Sequence, residues 1–205
     1  PDIGQTLLVI FCWALLIFTS GINIYILLAI FIAGASLLTY LIIYVPRFDY
    51  IQGRIFSFFN RETGTHNFQS DKAIESITSG GFFGKGIGEG VLKNRVPEAH
   101  TDYIISVISE EFGVVAIMLI LLLFLILIYM VFKKISFETN DKVKLILIGS
   151  ISLILMQATI HVGVNIRLFP TTGMTLPFLS YGGSSIISTS ILGGIILNLT
   201  KRKIT

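Results

Sequence analysis

The chain has 205 residues, 53% of them hydrophobic and only 13% charged, with a formal net charge of +3. A soluble domain carries about 25% charged residues, so this composition excludes an ordinary soluble enzyme and indicates an integral membrane protein. The basic residues are scattered among loops, which argues against a nucleic-acid surface, and the lone Cys12, inside an apolar run, excludes an internal disulfide and a cysteine metal cage.

The chain opens on Pro1-Asp2-Ile3-Gly4, without Met and without a basic segment ahead of the first apolar run, so the expectation is a fragment lacking a cleavable signal peptide. Residues 3–46 contain no charge. As one helix they would cover about 66 Å, against a hydrocarbon core of about 30 Å. The pattern therefore predicts two spans, over 3–19 and 22–45, turning at Thr19-Ser20-Gly21-Ile22-Asn23, with Pro46 and Arg47 ending the second. A polar stretch, 47–111, follows, with aromatic residues and a helical pattern over Gln69–Thr78 stopped by Ser79-Gly80-Gly81. A loop of this length with its own apolar content is usually functional. A third span is predicted over 112–132, ending at Lys133-Lys134, and a fourth over 145–166. The uncharged stretch 168–200 is broken near Tyr181-Gly182-Gly183, so only 184–199 is expected to cross as a fifth helix. The segment 168–185 is expected to be irregular or re-entrant, which at membrane depth requires protein or water around it.

The expected fold is thus all-α and polytopic: two helices in 1–46, an external loop over 47–111, and three helices in 112–205 with an external broken segment at 168–185. Short lysine-rich loops face the cytoplasm. That rule places Lys133, Lys134, Lys142 and Lys144, and the tail Lys201-Arg202-Lys203, inside. Asp102 and the segment 168–185 then share the outer face.

Asp102 lies in Pro97-Glu98-Ala99-His100-Thr101-Asp102-Tyr103, between long uncharged runs. An ionisable group next to hydrocarbon is costly and is a functional candidate by default. The alternative is that Asp102 caps the next helix, since Asp is a good N-cap. His100 is a candidate acid, base or positioning donor. Glu110, about 80° from Asp102 on a helix, could face the same cavity; the alternative is that Glu110 and Glu111 are two interfacial acids at a helix N-terminus, the reading preferred for Glu111. Gly84-Lys85-Gly86-Ile87-Gly88-Glu89-Gly90 matches no nucleotide-binding motif, but its backbone N–H groups could cradle an anion, with Lys85, Lys93 and Arg95 adding positive charge. A plain solvated loop is the alternative. His161, inside the fourth span, is expected to hydrogen-bond a neighbouring helix, and the three histidines lack metal-ligand spacing.

Taken together, Pro1-Asp2-Ile3-Gly4, Ala73-Ile74 with Ser79-Gly80-Gly81, Gly84-Lys85-Gly86, Pro97-Glu98-Ala99-His100-Thr101-Asp102, Glu110-Glu111-Phe112-Gly113, and Pro170-Thr171-Thr172-Gly173 with Ser180-Tyr181-Gly182-Gly183-Ser184-Ser185 closely resemble the SEDS family (shape, elongation, division and sporulation). Gly173-Met174-Thr175-Leu176-Pro177-Phe178 is more similar to its division branch than to its elongation branch. The resemblance covers the C-terminal half of a SEDS membrane domain. It implies a multi-pass protein of the bacterial cytoplasmic (inner) membrane that polymerises lipid II, the undecaprenyl-pyrophosphate-linked disaccharide-pentapeptide, with the catalytic loop on the periplasmic side.

The resemblance makes Asp102 the catalytic carboxylate, a base for the acceptor sugar's 4-hydroxyl. Lys85, Lys93, Arg95, Glu98, His100, Ser180, Gly182, Gly183 and Ser184 become the candidate substrate residues. A class B penicillin-binding protein transpeptidase, other division proteins and membrane lipids are the implied partners, with no nucleic acid. No cofactor is certain, and a divalent cation is possible. Two other functions compete: a lipid-substrate flippase, which should carry ionisable residues at the midplane of several spans, and a non-catalytic scaffold of a division complex.

Overall fold

The computed structural model describes residues 2–59, 65–91 and 98–201. These residues form seven α-helices: α1 (Ile3–Thr19), α2 (Ile24–Tyr44), α3 (Asp49–Phe59), α4 (Thr65–Gly80), α5 (Ile104–Phe137), α6 (Asp141–Asn165) and α7 (Gly183–Thr200). A single 3-10 turn, Pro46–Phe48, links α2 to α3. The chain is a polytopic helical membrane protein. Helices α2, α5, α6 and α7 are long and apolar enough to cross a bilayer. α1, with 17 residues, extends about 26 Å and falls a turn short of the hydrocarbon thickness.

The break between α1 and α2 falls where the sequence places it. Gly21 adopts φ 91°, a left-handed value that glycine accepts without cost. Asn23 then accepts a hydrogen bond from Tyr25 N and caps α2. Two features differ from expectation. α3 occupies part of the stretch expected to be loop. The third span starts earlier, at Ile104, and the residue near its expected beginning, Gly113, is a break inside it (φ 79°, ψ 179°).

α6 is the packing hub, against α1, α5 and α7. Inside lipid, close packing replaces the hydrophobic drive, so small residues gather where helices meet. Gly149 on α6 leaves room for Leu16 of α1, and Cys12 Sγ lies 3.4 Å from Ser152 Oγ. Val131, Leu147, Ile151, Ile154 and Ile196 form the core among α5, α6 and α7. A second core gathers Leu8, Ala73, Ala99, Tyr103, Val107, Ile160, Val164 and Met174. It joins α1, α4, α5 and α6 to the turn 98–103 and the segment 166–182, and so sets the floor of the polar site above it.

Candidate active site

The turn before α5 is organised by one carbonyl. Glu98 O accepts from the backbone N of Thr101, Asp102 and Tyr103, at 3.1, 3.0 and 3.3 Å. Glu98 itself sits at φ 56°, an uncommon value for a residue with a side chain. Its carboxylate accepts from Thr101 Oγ1 at 2.9 Å. The N-cap of α5 is Tyr103, which makes no side-chain cap hydrogen bond. Asp102 stands one residue before the cap position, which corrects the capping alternative.

Asp102 is half-buried instead, beside Gly173. A Cβ at Gly173 would stand 3.5 Å from Asp102 Oδ2. The carboxyl is pushed above the usual carboxylate range, first by burial and then by the negative charge of Glu98. Thr101 and Arg54 act the other way, and Asp2 adds to the rise.

The segment 166–182 is irregular, as expected, and it is tied to the turn 98–103. Tyr181 N donates to His100 O at 2.9 Å. Ser180 Oγ donates to Thr101 O at 2.7 Å and accepts from Leu176 N at 2.8 Å. Asn165, at the end of α6, donates to Asp102 O at 3.0 Å. Below, His161 Nδ1 lies 2.7 Å from Met174 O, so its partner is this segment rather than a neighbouring helix. Gln157 Nε2 donates to Thr175 O, and Thr175 Oγ1 lies 2.7 Å from Ser185 Oγ. Backbone at membrane depth survives only with such partners.

The remaining candidates fall into three groups. Ser180 is buried in the joint just described, while His100, Gly183 and Ser184 are exposed beside it and Gly182 is the N-cap of α7. Lys85 lies elsewhere, 3.5 Å from Glu110 Oε1. The amides of its glycine-rich loop, expected to be open to an anion, are taken by α5: Lys85 N donates to Glu110 O, Gly86 N to Glu111 O and Gly88 N to Glu111 Oε1. Glu110 turns to Lys85 and Ser76 rather than into a cavity with Asp102, and Glu111 holds the loop. Lys93 and Arg95 lie outside the described residues.

Arg54 on α3 was not among the residues expected from sequence. Its NH1 donates to Thr171 O at 3.1 Å, and its buried Nε finds no acceptor among the described residues. The buried Thr172 Oγ1, nearby in the same segment, is also without a partner among them. Nothing in local spacing ties α3 to residue 171, so only the fold brings this cation to the carboxylate. No group of three His, Cys, Asp or Glu side chains arranged for a metal ion occurs among the described residues.

The family model for cell cycle proteins of the FtsW, RodA and SpoVE type matches residues 1–204. A Caulobacter vibrioides protein described as a probable peptidoglycan glycosyltransferase FtsW is 34% identical over 99% of this chain and 51% of its own length. An Enterococcus hirae protein of the same description is 39% identical over 67% of this chain and 35% of its own. A solved structure described as "Structural coordination of polymerization and crosslinking by a peptidoglycan synthase complex" is similar with a TM-score of 0.75 and 27% identity, over 98% of this chain and 55% of that one. The chain thus spans about half the length of most of these relatives, from 35% to 55%.

Proposed function

Because the chain belongs to the FtsW, RodA and SpoVE family of cell cycle proteins, we propose that the full-length protein is a peptidoglycan glycosyltransferase that polymerises lipid II during division. The observation that carries the proposal is Asp102: a half-buried carboxylate, free of capping duty, at the joint of two polar segments. Residues 47–111 form the catalytic loop on the periplasmic side in this reading, with 168–185 beside it. A class B penicillin-binding protein transpeptidase is the partner we expect for the whole protein.

In the reaction, the acceptor sugar's 4-hydroxyl gives its proton to Asp102 as its oxygen attacks the donor's anomeric carbon. The bond from that carbon to the pyrophosphate oxygen breaks with inversion, and undecaprenyl pyrophosphate leaves. A positioned base contributes about 10²–10⁴-fold to such a step. The leaving group needs charge stabilisation rather than a strong acid. Arg54 suits that part better than Lys85, whose ammonium faces Glu110. An apolar chamber of about 290 Å³, lined in part by Leu7, Phe11, Phe31 and Met156 and reaching Thr172, suits the prenyl chain.

Asp102→Asn tests the base. In the full-length protein with its partner, glycan polymerisation from purified lipid II is expected to fall by about 10²-fold or more, at unchanged membrane abundance. Asp102→Ala should match it in both respects, because no cap is lost. Polymerisation by Asp102→Asn within a few-fold of the parent would end the assignment.

A further inference from the structure

Glu110 is fully buried, yet it is a carboxylate. Its Oε1 lies 3.5 Å from Lys85 Nζ, and its Oε2 accepts from Ser76 Oγ at 3.2 Å. Gly90 closes over it: a Cβ there would stand 2.8 Å from the carboxyl carbon. One side chain thus gathers α4, the loop 81–91 and α5. Desolvating the Glu110 carboxylate offsets much of what its pairing with the partly exposed Lys85 gains, so the pair is a poor source of stability, and the best-attested use of such pairs is to fix one arrangement among several.

The arrangement fixed here is that of the first part of α5, residues 104–112. Gly113 separates it from the membrane-spanning remainder, with a φ of 79° that no longer continues the helix. The first part is held instead by the loop, through Lys85 N to Glu110 O at 2.8 Å and Gly86 N to Glu111 O at 3.1 Å. Asp102 leads directly into it, about two turns, or about 12 Å, before Glu110. The placement of this short helix is thus one restraint on Asp102, beside the bonds that Asp102 makes to Glu98 O and receives from Asn165.

We propose that Glu110 and Lys85 are positioning residues: the ion pair between the buried Glu110 carboxylate and the partly exposed Lys85 ammonium locks the short helix 104–112 against α4 and the glycine-rich loop, and so holds Asp102 in its reactive place. This rests on the assignment of Asp102 as base. It also gives Lys85 a different role from that of a substrate cation.

The test uses the full-length protein with its partner, purified lipid II, and the variants Lys85→Met, Glu110→Gln, their combination, Lys85→Arg and Asp102→Asn. Misplacing a catalytic group by about 1 Å can cost about a hundredfold. Each neutral single variant is expected to lose about ten- to a hundredfold in kcat, with KM and abundance unchanged. The double variant removes both charges together and is expected to lose less than the two single losses combined, returning toward the parent, because sites in contact are coupled. Lys85→Arg keeps the charge and should keep kcat. A raised KM in Lys85→Met without rescue in the double variant would make Lys85 a substrate ligand and overturn the proposal. Parent kcat in both single variants at lowered abundance would make the pair structural only. Equal losses in Lys85→Arg and Lys85→Met would also overturn it. Should Asp102→Asn stay active while the double variant rescues, the base assignment falls, and the pair still fixes the helix 104–112 but not for the sake of Asp102. Should Asp102→Asn be inactive while the single variants turn over normally, the lock falls alone.

Discussion

In the proposed reaction Asp102 must be ionised to serve as base, and its surroundings oppose ionisation. Burial is the larger cause, and the Glu98 carboxylate, two residues outside the His100-Thr101-Asp102 run, is the second. The sign follows: polymerisation should fail as pH drops through a value above that of an ordinary aspartate. Removing a like charge favours the charged form. Glu98→Gln should therefore move the acid limb of the kcat/KM profile, which reports the free enzyme, to lower pH. Glu98 is exposed, so its field is screened, and the shift should shrink as salt is raised. An unmoved acid limb in Glu98→Gln would show that another group controls it. The Asp102 motif was legible in sequence because polar residues stand out between uncharged runs. Its environment was not. Arg54, Asn165 and Gly173 reach Asp102 across 48, 63 and 71 positions of chain, and no periodicity links them.

At the scale of elements, glycines decide how α4, the loop and α5 interlock. A Cβ at Gly80 would stand 1.9 Å from Ser109 O, at Gly84 2.2 Å from Glu111 O, and at Gly113 2.2 Å from Phe82 O. Backbone meets backbone at all three places, so no side chain can move aside. Gly113→Ala adds this overlap to a backbone conformation that only glycine takes readily, and the conformation alone costs about 1–3 kcal/mol. Folded protein in the membrane should drop sharply in Gly113→Ala. Gly34→Ala on α2, where a Cβ meets nothing within 4 Å, should accumulate like the parent. Equal abundance of the two variants in detergent extracts would mean that the interlock is not needed for folding. The apolar helices were legible because length and hydrocarbon thickness fix them. α3 was not: its sequence, Asp49-Tyr50-Ile51-Gln52-Gly53-Arg54, mixes charge, glycine and aromatics, and only Ile51 of its residues is buried. The early start of α5 was missed because Ser106, Ser109, Glu110 and Glu111 interrupt the apolar pattern that marked the span.

For the whole molecule, the decisive quantity is which face meets which compartment. The turn 98–103 and the segment 166–182 are joined by hydrogen bonds, so they lie on one face whatever its orientation. The connection between α5 and α6 lies at the opposite ends of those helices, and the α7 end at Lys201 lies on that same opposite face if α5, α6 and α7 cross in turn. Two of its lysines are neutralised, Lys134 by Glu138 at 3.0 Å and Lys144 by Asp141 at 3.1 Å. Lys133, Lys142 and Lys201 keep their charge without an ion-pair partner among the described residues. Orientation follows Lys and Arg in short loops rather than net charge, and acidic neighbours contribute little, so these lysines should still hold this face in the cytoplasm. Cysteines at Glu75, exposed on α4, and at Lys142, exposed at the start of α6, separate the two faces. Cys12 is buried and should not compete for the reagent. In intact spheroplasts, an impermeant maleimide should label Glu75→Cys at once and Lys142→Cys only after lysis. Labelling of both before lysis would overturn the assignment of the two sites to opposite faces, and labelling of Lys142→Cys alone would place Asp102 on the cytoplasmic side.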